Sequence, residues 1–315
     1  MYSHGSCLAH GNGVGKEQRM LYQIENEELK VACCDFGAEL HSVYGKGEQK
    51  EYLWQGDESL WNLHAPVMFP YCGRLKEFKM QDEDGAWYRE LINHGFARES
   101  LHQAVVQEKD RIVFELRWKE ETLKKYPYRF CLKTEYRLEG RNLFWSYTVQ
   151  NEDIREMFYN VGFHPGFFCP FSEGKETEDY SIRFEKAESP AQLISDEEGQ
   201  LRTGETRVYF ENKSGFYLSD TLFGKNFCLT GLQSAYVDLL EKSTGRYIRL
   251  YREAFPYMVF WSKPGKMRFL CMEPWSGLGD RQDSTYHLWE KDGILKLKPG
   301  EEAFHSLRME FGKDR

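Results

Sequence analysis

Apolar and polar residues alternate with a period of two through most of this chain, which is the pattern of β-strands with one buried face. The alternation is clearest in residues 132–138 and 143–149, which flank a turn at Gly140-Arg141-Asn142. Two alternating runs joined by a short polar turn predict a β-hairpin. Further hairpin turns are predicted at Lys109-Asp110 and at Ser243-Thr244-Gly245.

The rest of the chain also favours strands. Buried strands are predicted over residues 257–261 and 268–272, the clearest helical pattern is short (residues 120–125), and residues 172–179 have the composition of a surface loop. Aromatic residues make up 16% of the chain, and they favour strands. We therefore predict an all-β fold, a large antiparallel β-sandwich. Without a repeat or linker, we expect a flexible N-terminal segment (1–19) and one domain (20–315).

Charge and hydropathy exclude two classes of partner. The formal net charge is −8 and no basic stripe is present, so nucleic acid is not an expected partner. No run approaches the roughly 20 apolar residues of a membrane-spanning helix, and residues 1–15 lack the layout of a signal peptide. We expect a cytoplasmic protein that is a monomer or a homodimer.

The cysteines do not form a recognisable framework. The eight cysteines include no C-x-x-C pair, which indicates reduced, mostly buried thiols. His4, Cys7 and His10 are spaced evenly and could ligate a metal, but a frayed, glycine-rich N-terminus is the favoured interpretation. We therefore predict no metal site.

Five short segments place a charged or proton-carrying side chain beside glycine, proline and aromatic residues. They are Phe69-Pro70-Tyr71-Cys72-Gly73-Arg74, Asn93-His94-Gly95-Phe96-Ala97-Arg98, Tyr126-Pro127-Tyr128-Arg129-Phe130, Asn160-Val161-Gly162-Phe163-His164-Pro165-Gly166-Phe167 and Met272-Glu273-Pro274-Trp275-Ser276-Gly277. Glycine and proline fix turns and allow close approach of the backbone, so such side chains often face a cleft. We expect Arg74, His94, His164 and Glu273 to form one site.

Glu273 has the setting of a general base, because it ends an apolar strand and precedes Pro274 and Trp275. A carboxylate that is partly desolvated against aromatic rings has a raised pKa, which suits proton transfer near neutral pH. Each residue also has a simpler interpretation. Glu273 could be an exposed strand-end residue, Arg74 a surface arginine, and either histidine a turn cap.

Together, the five segments resemble the aldose 1-epimerase (galactose mutarotase) superfamily, and most closely its LacX-like branch. The similarity begins at Gly37-Ala38-Glu39-Leu40, passes through Tyr52-Leu53-Trp54-Gln55-Gly56-Asp57 and ends at Glu273-Pro274-Trp275-Ser276-Gly277. The order and spacing of the segments make it specific. It implies a galactose mutarotase-like supersandwich with a cleft for a monosaccharide.

The resemblance also implies roles for individual residues. Arg74 and His94 would bind sugar hydroxyls, His164 would be the general acid and Glu273 the general base. Neither cofactor nor metal is implied, because interconverting α and β anomers by ring opening and reclosure needs only one acid and one base.

Further contacts are expected from aromatic side chains and from one amide. Phe163, Phe167 and Trp275 could pack on the apolar face of the sugar. The family has a substrate-binding aspartate between the fourth and fifth segments; the comparable stretch here, 223–227, offers Asn226, with Asp220 and Asp238 as weaker matches.

Three functions follow from these residues. The first is an epimerase that acts on an aldose, with a small-molecule sugar as its partner. The second is a non-catalytic carbohydrate-binding or regulatory protein that keeps the cleft. The third is a hexose-phosphate 1-epimerase, which would need a cationic pocket; Lys76, Arg98 and Lys225 are its candidate members.

Overall fold

A computed structural model describes residues 5–6, 19–196, 201–223, 227–252 and 255–314. The strands of the first half are β1 (Gly5–Ser6), β2 (Met20–Glu25), β3 (Leu29–Cys34), β4 (Leu40–Gly45), β5 (Lys50–Glu51), β6 (Val67–Met68), β7 (Met80–Gln81), β8 (Trp87–Tyr88), β9 (Gln103–Gln107), β10 (Arg111–Arg117), β11 (Phe130–Glu139), β12 (Asn142–Asn151) and β13 (Met157–Tyr159). Those of the second half are β14 (Gly162–Phe163), β15 (Gly166–Phe168), β16 (Tyr180–Glu188), β17 (Ala191–Ser195), β18 (Arg202–Val208), β19 (Lys213–Tyr217), β20 (Phe227–Thr230), β21 (Tyr236–Glu241), β22 (Arg246–Tyr251), β23 (Tyr257–Trp261), β24 (Phe269–Trp275), β25 (Leu295–Leu297) and β26 (Glu302–Lys313).

Helices are few and short in the part of the chain that the structure covers. One α-helix, α1 (Glu120–Leu123), and 3₁₀ turns at Lys76–Phe78, Ala97–Glu99, Thr177–Asp179 and Leu288–Glu290 connect the strands. The all-β prediction is confirmed, as are the predicted hairpin of β11 and β12, the short helix after residue 119 and the strand Tyr257–Trp261. The predicted strand 268–272 is three residues longer at its end.

Two large antiparallel sheets form the body of the molecule. One has nine strands in the order β19-β16-β21-β22-β26-β12-β11-β10-β9. The other has eight strands in the order β18-β17-β20-β23-β24-β14-β6, with β15 paired to β24 beyond the end of β14. Strands β1 to β5 form a smaller sheet of their own.

The core lies between the two large sheets, and aromatic pairs connect them. Tyr147 of the nine-stranded sheet stacks on Phe163 of the eight-stranded sheet, with ring centroids 4.6 Å apart. Phe216 and Phe260 also connect the sheets, in an edge-to-face contact with centroids 5.9 Å apart. These side chains bury large apolar areas, which is the main source of stability in a sandwich.

The eight-stranded sheet has a second face that points away from this core. Because consecutive residues of a strand point to opposite faces, Glu273 lies on the outer face while Met272 belongs to the core between the sheets. Small apolar clusters cover the outer face, among them Val259 with Trp275 and Cys271 with Phe269. The outer face therefore provides a partly apolar floor on which a site can be built.

Candidate active site

The outer face of the eight-stranded sheet carries a cleft with a volume of about 320 Å³. Its lining contains the four side chains that the sequence predicted would come together. The lining residues are Trp61, Pro66, Gly73, Arg74, Asn93, His94, Arg98, His164, Val259, Trp261, Glu273 and Trp275. The volume is at the lower end of the range of about 300–1,000 Å³ that is typical of small-molecule sites.

The register of the sheet places His164 directly beside Glu273. Gly162 of β14 pairs with Trp275 of β24, and Gly166 of β15 pairs with Cys271 of β24. His164 lies halfway between the two glycines, and Glu273 halfway between their partners. As a result, His164 Nε2 is 3.3 Å from Glu273 Oε2.

Burial shifts the pKa values of this pair in opposite directions. Glu273 is 1% exposed and His164 is 7% exposed. Desolvation raises the pKa of Glu273 well above its usual value, and a hydrogen bond from Trp275 Nε1 to its Oε2 (3.1 Å) opposes that shift. Desolvation lowers the pKa of His164 to about 3. Both residues therefore favour their uncharged forms when the cleft holds no charged ligand.

Two hydrogen bonds with the backbone of Gly73 fix His94 at the side of the cleft. The His94 N–H donates to the Gly73 carbonyl (2.9 Å), and the Gly73 N–H donates to His94 Nδ1 (3.1 Å). His94 adopts a left-handed backbone conformation with φ of 65°, which is costly for a residue other than glycine and is maintained here by these bonds. Burial also lowers the pKa of His94. The neutral ring accepts at Nδ1, so its proton resides on Nε2, which leaves an N–H donor for a ligand.

The glycine that follows His94 is required by the packing. Gly95 has φ of 76°, and a Cβ at this position would lie 2.1 Å from the Phe69 carbonyl oxygen. The first and second predicted segments therefore pack backbone to backbone. This contact brings Arg74 and His94 to the same wall of the cleft.

Three tryptophans supply apolar surface in the described part of the cleft. Trp61 stacks on the His164 ring, with centroids 5.2 Å apart, and packs against Trp261 at 5.6 Å. The third, Trp275, contacts the His94 ring at 5.5 Å. Sequence reasoning missed Trp61 and Trp261, since Trp61 lies outside the five segments and Trp261 reads as the end of a core strand.

The expectation that Phe163 and Phe167 would face the sugar is wrong. Both are fully buried, with 0% of their surface exposed, and neither lines the cleft. Phe163 precedes His164, so its side chain points to the inner face of the sheet and packs on Tyr147. The third predicted segment is also structural, because Tyr126 is buried and donates to the Phe158 carbonyl (2.6 Å).

No described acid replaces the family's substrate-binding aspartate at the cleft. Asn226, like Lys225 and the group His4, Cys7 and His10, lies outside the described residues. Asp220 accepts hydrogen bonds from Thr177 and from the Met267 N–H. Asp238 is fully buried in the nine-stranded sheet, where it pairs with Arg183 and Arg249.

Residues 20–310 match the family described as aldose 1-epimerase. The chain belongs to this family. Its relatives include the chromosomally encoded protein LacX of Lactococcus lactis subsp. lactis, which is 32% identical over 286 residues, covering 89% of this chain and 95% of LacX. The predicted resemblance to LacX-like members of the family is therefore confirmed.

Solved structures confirm the galactose mutarotase-like fold. A galactose mutarotase related enzyme from Lactobacillus acidophilus superposes with a TM-score of 0.87 at 31% identity, covering 93% of this chain and 98% of that chain. A galactose mutarotase-like protein from Lactobacillus casei superposes with a TM-score of 0.85 at 29% identity, covering 93% and 100%. No helix in the described residues is long and apolar enough to cross a membrane.

Proposed function

We propose that the protein is an aldose 1-epimerase that interconverts the α and β anomers of a sugar. The observation that carries the proposal is the buried pair of His164 and Glu273, whose facing atoms are 3.3 Å apart in a cleft of monosaccharide size. Ring opening of a cyclic sugar requires removal of the C1 hydroxyl proton and protonation of the ring oxygen. A carboxylate and an imidazolium on one wall can perform both steps.

The pair needs only one shared proton to complete the cycle. The shared proton first passes from Glu273 to His164. The Glu273 carboxylate then accepts the C1 hydroxyl proton while the His164 imidazolium protonates the ring oxygen, and the C1–O5 bond breaks to leave a C1 aldehyde. Both side chains are then neutral, which is the form that burial favours. After rotation about the C1–C2 bond, Glu273 returns its proton to the C1 oxygen. His164 takes the proton of the C5 hydroxyl as the ring recloses.

The surrounding residues orient the sugar. Trp275 donates to Glu273 Oε2, which favours the carboxylate needed for proton abstraction. Arg74 and the His94 Nε2–H provide donors for hydroxyl groups. Trp61, Trp261 and Trp275 offer flat surfaces for the C–H face of the ring. Action in the cytoplasm, as a monomer or homodimer, stays a prediction from the sequence.

Mutarotation is the direct test of this proposal. Freshly dissolved α-glucose and α-galactose would be followed by polarimetry with and without the protein, and a larger panel of aldoses by NMR line exchange. We expect the protein to accelerate approach to the anomeric equilibrium of at least one aldose. If an aldose binds but equilibrates no faster than in buffer, the non-catalytic carbohydrate-binding alternative replaces the proposal.

A sugar phosphate is a second candidate substrate, favoured by the environment of Arg98. This guanidinium lines the cleft with Arg74, and its Nε has no hydrogen-bond partner within the described residues. Its nearest counter-charge is Glu99, 3.6 Å away. Two arginines in one cleft can bind the oxygens of a phosphate. Lys76, predicted as a further member, instead lies over the Tyr286 ring and outside the lining.

A comparison of a free sugar with its phosphate distinguishes an aldose 1-epimerase from a hexose-phosphate 1-epimerase. Anomerisation of glucose and glucose 6-phosphate would be compared in the wild type and in Arg98→Gln. A hexose-phosphate 1-epimerase would prefer the phosphate by at least tenfold in kcat/KM and lose that preference in the variant. An aldose 1-epimerase would show no such preference in either protein.

A further inference from the structure

A second cluster of ionisable side chains lies outside the catalytic pair. Glu39 directly precedes β4, His41 lies in β4 where the register with β3 shifts, and His64 comes from the segment before β6. The side chains are 12%, 22% and 14% exposed, respectively, so the cluster is mostly buried but reachable from solvent. None of the three lines the cleft.

The two histidines turn their nitrogens toward the same carboxylate. Their rings stack, with centroids 4.1 Å apart and planes 22° apart. His41 Nε2 is 3.3 Å from Glu39 Oε2, and His64 Nδ1 is 3.7 Å from Glu39 Oε1. The second distance is too long for a hydrogen bond, and His64 Nδ1 is a buried atom without a hydrogen-bond partner in the described chain.

The carboxylate is already oriented by the backbone. The His64 N–H donates to Glu39 Oε1 at 2.7 Å, and the Ala65 N–H donates to the same oxygen at 3.1 Å. Such outer contacts fix the direction of a metal-binding carboxylate and are part of a built site. Oε2 faces His41, while Oε1 also faces His64 Nδ1.

The spacing of the donor atoms fits a metal ion. All three potential ligand atoms lie within 4.8 Å of one another. Two ligands that are each about 2.1 Å from a tetrahedral zinc ion are roughly 3.4 Å apart. The distances here are 3.3 Å from His41 Nε2 to Oε2 and 3.7 Å from His64 Nδ1 to Oε1, so each histidine lies near that spacing from one oxygen of the carboxylate. We propose that Glu39, His41 and His64 bind one divalent transition-metal ion of the zinc type, with a fourth position for water.

The other described cluster with three potential ligands is chemically less suited to binding a metal ion. It consists of His164, Cys271 and Glu273. Burial raises the pKa values of both Cys271 and Glu273, so a metal would have to displace a proton from each. The Glu39 cluster contains no thiol.

The position of the site indicates a role in holding the cleft wall. The His64 carbonyl accepts a hydrogen bond from the Gly166 N–H (2.9 Å), which lies two residues after His164. Trp61 and Pro66, on either side of His64, line the cleft. A metal on Glu39 and His41 would thus connect β4 to this wall and stabilise it, without contacting the reacting atoms of the sugar.

Zinc titration of the full-length, untagged chain tests the site independently of any activity. After removal of metal with EDTA and dialysis, Zn²⁺ binding would be measured by calorimetry and thermal unfolding. We expect one ion per chain and a melting temperature that rises with Zn²⁺ concentration. His41→Ala and His64→Ala should each weaken binding by at least ~10-fold and abolish the thermal shift. If His64→Ala does not fold, the more exposed His41→Gln gives the same test.

Two control variants exclude other sites. A variant with His4→Ala and His10→Ala, and a second with His164→Asn, should bind zinc like the wild type. Cobalt absorption adds a spectroscopic check, since nitrogen and oxygen ligands give weak visible bands without the strong near-ultraviolet band of a thiolate. The proposal is overturned if His41→Ala binds zinc as tightly as the wild type, if binding is lost in either control, or if cobalt produces a thiolate band.

Discussion

The two faces of the eight-stranded sheet differ in purpose although they are built from neighbouring residues. On β24, Met272 packs into the core between the sheets and Glu273 points into the cleft. Just after β14, the same division separates Phe163 from His164. The alternation that stabilises a strand therefore also assigns adjacent residues to stability and to chemistry.

Both faces exclude water, but they do so around different groups. Phe163 is 0% exposed and Glu273 is 1% exposed. On the inner face, the exclusion of water from apolar side chains stabilises the fold. On the outer face, desolvation shifts the pKa values of Glu273 and His164, which face each other. Substitutions on the two faces should therefore separate activity from stability.

The largest effect on activity is expected from Glu273→Gln. Glutamine keeps the shape of the side chain but cannot accept the C1 hydroxyl proton, so mutarotation should fall by about 10²–10⁴-fold with sugar binding retained. Stability should not fall, because the raised pKa of Glu273 requires this carboxyl to take up a proton on folding at neutral pH, and a neutral amide avoids that cost. Polarimetry and urea unfolding measure both quantities.

Glu241→Gln is the matched control for this substitution. Glu241 is also fully buried, but it lies in the nine-stranded sheet, where it accepts a hydrogen bond from Tyr180 (3.2 Å). Its replacement should leave kcat unchanged. An unchanged turnover in Glu273→Gln would remove Glu273 from the mechanism.

The inner face should show the opposite behaviour in Phe163→Ala. Removing a buried phenyl ring that stacks on Tyr147 should lower the free energy of unfolding by about 3–5 kcal/mol. Turnover per folded molecule should stay close to that of the wild type. Chemical denaturation and active-site titration test this pair of expectations.

Phe163→Leu keeps most of the volume and provides a milder variant if the alanine protein does not fold. A selective loss of sugar affinity in either variant, with stability intact, would show that Phe163 contacts the ligand after all.

The sequence predicted the strands well because alternation and turn residues act locally. The turn at Gly140 and the strand Tyr257–Trp261 are examples. It also predicted which charged residues meet, since Arg74, His94, His164 and Glu273 each lie beside residues that fix a bend.

The aromatic lining was harder to predict because it depends on which face of the sheet bears the cleft. From the sequence alone, Phe163 is as good a candidate as Trp275, and nothing around Trp61 identifies it as a neighbour of His164. The Glu39 cluster depends on long-range packing as well, since 25 residues separate Glu39 from His64. Local sequence patterns do not contain such contacts.

A smaller, binding-specific effect is expected for Arg74→Ala. Hydrogen bonds from a charged donor contribute about 1.5–3 kcal/mol, so KM should rise by roughly 10–100-fold while kcat changes little. Saturation kinetics measure the two constants. Arg129→Ala is the control, because Arg129 is an exposed arginine that lies over Trp118, outside the cleft. A loss confined to kcat would contradict the role of Arg74.

The smallest change is expected in the pH profile of kcat/KM near neutrality. The catalytic pair works with one shared proton, and it gains a second only when the pH falls toward the His164 pKa of about 3. It loses the shared proton only when the pH rises through the raised pKa of Glu273. As coupled groups, the two residues set macroscopic limits that belong to the pair.

The profile should therefore be flat through the ordinary histidine pKa of about 6.5 and should decline only on the alkaline side. Measuring kcat/KM from pH 5.5 upward, corrected for the buffer-catalysed rate, tests this expectation. A control variant, His305→Gln, alters a histidine of the nine-stranded sheet that contacts Tyr159 at 2.9 Å, and it should leave the profile unchanged. A descending acid limb centred near pH 6.5 in the wild type would mean that His164 titrates as a solvated histidine. The outer face would then be more hydrated than the inner one, and the two faces would not share the exclusion of water.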